Sequence, residues 1–103
     1  MIARRRFAGV IRTQLELFRE EEADLIRDCE EAERAYDRAE RGEAEGRYGE
    51  YLDLVESGTE ILTGLRDAYV TTLEDDAAER YVAEFNRAVG RRLPRFALGL
   101  EDS

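Results

Sequence analysis

A chain of 103 residues that is 43% apolar and 40% charged is apolar enough to fold and too charged to be a membrane span. Its net charge of −9 argues against nucleic acid as a general partner, because a phosphate backbone would be repelled. All 16 basic residues are arginine, histidine is absent, and the one cysteine, Cys29, has no partner for an internal disulfide.

This length predicts a single domain over residues 1–103 with a modest core, which oligomerisation often supplements. The first residues are basic, but Arg12 and Gln14 break the apolar run that a signal peptide needs, so the expected location is the cytoplasm.

Apolar residues at spacings of three and four predict a first helix over about 3–41. Its stripe reads Phe7, Ile11, Leu15, Phe18, Glu22, Leu25, Cys29, Ala32, Tyr36, Ala39, and its far face is charged, with Arg19 and Arg27 among the residues there. Gly42 is expected to end this helix in a left-handed cap. A second helix is predicted over about 47–73, apolar on two faces and therefore central. Asp75 and Asp76 are expected to form the next turn and to cap a third helix over about 77–93, which Pro94 stops. The tail 94–100 is too apolar to hang free and is expected to pack beside the first hairpin turn.

Two numerical symmetries join these elements. Positions summing to 87 or 88 pair the stripes of helices one and two: Tyr36 with Leu52, Cys29 with Thr59, Leu25 with Leu62, Phe18 with Tyr69. Positions summing to 150 pair the second face of helix two with helix three, as in Leu65 with Phe85. The predicted fold is all-α: a long antiparallel helical hairpin plus a shorter third helix, an up-down-up, coiled-coil-like three-helix bundle.

Chemistry-bearing motifs are scarce. Di-iron bundle sites use Glu-x-x-His pairs, and this chain has no histidine, so no metal site or cofactor is expected. The usual general base is missing, Cys29 lies on an apolar stripe, and no phosphate-binding glycine loop follows a strand. These residues predict no catalytic site, and hence not an enzyme.

Two constellations remain. Glu22 falls opposite Arg66 (22 + 66 = 88), which reads first as a structural ion pair setting hairpin register and second as half of a ligand site. Residues 1–12 carry Arg4, Arg5, Arg6 and Arg12 and no acid, around Phe7, Val10 and Ile11. Helix two runs out of partners near position 14, so residues 1–13 should project roughly 20 Å beyond the bundle. Such an arm pairs with a second copy in the first reading, docks on another, acidic protein in the second, and lies on an anionic membrane surface in the third.

The expected function is accordingly a non-catalytic interaction or assembly module, homo-oligomeric through Phe7, Val10, Ile11 and the arginines 4–6. The alternative is a regulatory domain responding to a small molecule held between helices. An exposed apolar arm on a solid core favours the first; a pocket lined by tyrosines and Arg92 favours the second.

Overall fold

The computed structural model describes residues 6–101. It is helical in the order α1 (Ala8–Glu21), α2 (Ala23–Asp37), α3 (Ala44–Val70) and α4 (Asp75–Arg92), then a 3-10 turn (Pro94–Phe96) and α5 (Ala97–Glu101). The molecule is elongated, 51 × 24 × 24 Å. The all-α expectation holds. The three-helix plan does not, because five helices are present among the described residues.

The hairpin is made by α2 and α3, whose packing across the turn 38–43 is the most extensive in the molecule. Cys29, Thr59 and Leu62 are buried along it, and the rings of Tyr36 and Tyr48 meet at 5.1 Å near the turn. Gly42 is not the cap. The helix ends at Asp37 with Arg38 at φ −97°, and no described glycine has positive φ.

The predicted first helix is interrupted at Glu22, where φ −110° and ψ 29° leave the helical region. This break carries α1 onto α4. Phe7 then packs edge-on against Tyr81 at 5.5 Å and Tyr69 at 6.4 Å, while Phe18 meets Phe96 at 5.7 Å in place of Tyr69. Magnitudes explain the choice. Burying each large apolar side chain of α1 stabilises by ~1.5–3 kcal/mol, whereas each helix hydrogen bond lost at a kink costs about 1 kcal/mol. A straight helix would have left Phe7 and Ile11 in water.

Where α3 meets α4, the rings of Tyr69 and Tyr81 lie 4.7 Å apart at a tilt of 49°, although Tyr69 was expected on the face toward the first helix. The start of α4 lies two residues earlier than expected. Glu74 is the N-cap, no side chain caps it, and Asp75 and Asp76 occupy the first turn, where their charges suit the helix dipole. Pro94 does end α4, with Leu93 as C-cap. The tail, however, packs on the middle of α3 and not beside the hairpin turn. A β-carbon on Gly58 would run into the Phe96 ring, and one on Gly99 would touch the Thr59 side chain. Tyr81, Phe85, Val89, Phe96 and Leu100 join Phe7, Ile11, Leu15, Phe18 and Leu62 in one contiguous core.

Candidate functional site

The residues expected to form an arm are largely inside the fold. Phe7 is 6% and Ile11 3% exposed, and Val10 is half-buried against the same core. Arg6 is exposed, with its guanidinium 5.3 Å from the Phe7 ring centroid. Arg4 and Arg5 lie outside the described residues. The expected overhang is therefore corrected: once Glu22 breaks the helix, the apolar stripe of α1 finds its partner in α4 of the same chain.

Glu22 and Arg66 are not brought together as an ion pair. Glu22 sits half-buried at the helix break. Arg66 is buried, and its guanidinium ties three elements: Nε donates to Asp67 Oδ1 at 3.0 Å, and Nη1 to Asn86 Oδ1 at 3.1 Å and to the Leu100 carbonyl at 3.3 Å. The positions mirror each other in sequence, but the bend at Glu22 displaces the first of them from the hairpin seam.

A cleft of about 770 Å³ opens between α2 and the end of α4. Its making is local. Pro94 forbids continuation of α4, so the chain leaves the helix axis at Leu93 and returns as the 3-10 turn. The space beside this corner is floored by Ala23, Ile26, Leu93 and Phe96. Four arginines line it, Arg19, Arg27, Arg92 and Arg95, against two acids, Glu30 and Glu33. That is a local excess of two positive charges on a chain whose net charge is −9.

Each arginine is positioned differently. Arg19 Nη2 donates to the Arg92 carbonyl at 2.7 Å, satisfying an end carbonyl of α4 and placing a cation at the negative pole of that helix. Arg27 pairs with Asp24 at 3.0 Å, one turn away. Arg95 Nη2 donates to Glu33 Oε1 at 2.7 Å and Nε to the Tyr51 hydroxyl at 3.2 Å. Burial works against the Arg95 charge, but those two hydrogen bonds outweigh it and hold its pKa above the ordinary value. Arg92 is exposed in the last turn of α4.

Cys29 is fully buried nearby on α2, and burial pushes its thiol pKa up, so the sulfur stays protonated at neutral pH. Among the described residues, no group of three or more histidine, cysteine, aspartate or glutamate side chains could hold a metal, and no helix is long and apolar enough to cross a membrane.

Sequence periodicity places Arg19 and Arg27 on a solvated face and leaves Arg95 in a tail. The available signal was the Arg91-Arg92-Leu93-Pro94-Arg95 run, which combines a helix stop with three cations. The chain matches no known family model, and it has no significant match among curated proteins or among solved structures.

Proposed function

We propose that this chain is a non-catalytic helical binding module whose ligand is a small anion with an apolar or aromatic body. One observation carries the reading: four guanidinium groups and an apolar floor converge on a single cleft of about 770 Å³ in an otherwise acidic protein. That volume falls within the ~300–1,000 Å³ of small-molecule sites. Arginine suits the role because its planar fork recognises carboxylate, phosphate or sulfonate in two-point fashion and remains charged at any physiological pH. Tyr51 and Arg92, which line the cleft, are the residue types that distinguish this reading from the arm-mediated dimer.

The test uses anilinonaphthalene sulfonate, an aromatic anion that fluoresces on leaving water. It should bind the folded protein saturably, and Arg92→Glu or Arg27→Glu should weaken it by ~10-fold or more while circular dichroism is unchanged. Equal binding by the charge-reversed variants would overturn the assignment.

Self-association keeps one specific observation in its favour, on a different surface from the arm. From Glu30 to Glu50 the hairpin contains no buried residue, and Tyr36, Tyr48 and Leu52 are 39%, 45% and 44% exposed. A second copy laid on this end would complete a four-helix layer. Light scattering of wild type and of Tyr48→Glu/Leu52→Glu tests it: a dimer mass lost in the variant supports it, and a monomer mass at all concentrations for wild type removes it.

A further inference from the structure

The charges that line the cleft beside Pro94 are not equally available. Arg95 is engaged on two sides, donating to Glu33 and to the Tyr51 hydroxyl. Arg27 holds Asp24 at 3.0 Å, and Arg19 donates to the Arg92 carbonyl. Two of the charged side chains lining the cleft remain without an ion pair or a hydrogen bond among the described residues: Arg92 on α4 and Glu30 on α2. One is a cation and the other an anion.

Their placement follows from helical register. The α2 residues that line the cleft are 23, 26, 27, 30 and 33, spaced along one face of the helix. Glu30 stands one turn beyond Ile26 and one turn before Glu33, between the apolar floor and the hydrogen bonds that hold Arg95. Arg27, three residues earlier, has the spacing for an ion pair with Glu30, but it donates to Asp24 in the other direction along the helix. Arg92 stands across the opening, in the last turn of α4. Both residues are exposed, so a dissolved molecule can reach both.

This arrangement narrows the chemistry of the ligand. A purely anionic molecule is drawn to Arg92 but meets the Glu30 charge. A purely cationic one suits Glu30 but meets the arginines. A molecule carrying both signs satisfies the two unengaged groups at once. We propose that the ligand is a zwitterion with an apolar side chain, as a free amino acid or a short peptide. Its carboxylate accepts from the Arg92 guanidinium, its ammonium donates to the Glu30 carboxylate, and its side chain lies on the floor at Ile26 and Phe96. This rests on the reading of the cleft as a small-molecule site and adds to it the ammonium and the residue that receives it.

Calorimetric titration of the whole chain at pH 7 with three molecules sharing one phenyl body tests the proposal. L-Phenylalanine should bind at least ~10-fold more tightly than 3-phenylpropionate, which lacks the ammonium, and than phenethylamine, which lacks the carboxylate. Glu30→Gln should bring the phenylalanine-to-phenylpropionate affinity ratio to about one by weakening phenylalanine alone. Glu31→Gln removes the same charge from an exposed neighbour outside the cleft and should leave the ratio unchanged. The dipeptide Leu-Phe separates the two sources: tighter binding than phenylalanine assigns a peptide, weaker binding a free amino acid, and either order supports a zwitterion. A wild-type ratio of about one, or equal effects of the two glutamine variants, overturns the proposal. If anilinonaphthalene sulfonate still binds and is weakened by Arg92→Glu, the cleft reading outlives that failure. If the dye binding is indifferent to Arg92→Glu and none of the phenyl compounds binds at millimolar concentration, both fall.

Discussion

The ring of Phe96 occupies the place where a β-carbon on Gly58 would stand. This contact lets the tail close over α3, and with Phe18 set edge-to-face against the same ring it joins α1, α3 and the 3-10 turn.

Gly58→Ala should therefore destabilise the protein by ~1–3 kcal/mol through overpacking, although alanine gains about 1 kcal/mol of helix propensity over glycine. Gly64 lies in the same helix with nothing within 4 Å of a built β-carbon, so Gly64→Ala should stabilise by up to ~1 kcal/mol. Urea unfolding of the two variants checks the contrast. Two changes of the same sign would mean that Phe96 does not pack there.

Phe7 is now a core residue. Phe7→Ala should lower stability by about 3 kcal/mol, as large core truncations do, and should leave the molar mass unchanged. Denaturant midpoint and light scattering together decide. A change of mass without loss of stability would restore the intersubunit arm.

Arg66 and Glu22 should prove energetically independent. Arg66→Ala leaves Asn86 and the Leu100 carbonyl without their charged donor and should cost ~3 kcal/mol. Glu22→Ala, at a half-buried bend, should cost below ~1 kcal/mol. A double-mutant cycle should give a coupling within ~0.5 kcal/mol of zero. A larger coupling would show that the two charges meet after all.

Burial of Tyr81 pushes its phenol up to about 12 from an ordinary value of 10.0. The folded state then holds this proton where the unfolded chain releases it. Stability tied to the neutral phenol is fully present below pH 10, and it is lost as pH rises through about 12. At ~1.4 kcal/mol per unit, the loss reaches roughly 2–3 kcal/mol. Urea unfolding from pH 9 upward should show this slope, and Tyr81→Phe should flatten it. An unchanged slope in the variant would assign the alkaline loss to other groups.

Period and charge in the sequence determined the helical class, the α2–α3 hairpin and the stop at Pro94. Each of these follows from local rules: an apolar stripe must be covered, two stripes that mirror each other can cover one another, and proline cannot continue a helix. Tertiary structure decided the rest. A stripe states that Phe7 and Ile11 need cover, but not whether α4 or a second chain provides it. That choice was made at Glu22, by the balance between a few helix hydrogen bonds and several buried side chains. The arginine cleft is similarly invisible to periodicity, since Arg19, Arg27, Arg92 and Arg95 come from separate segments and converge only after Pro94 turns the chain. Glu84 presents the same case. A lone glutamate on α4 becomes a buried cap only when α1 folds back and sets the Phe7 amide against it.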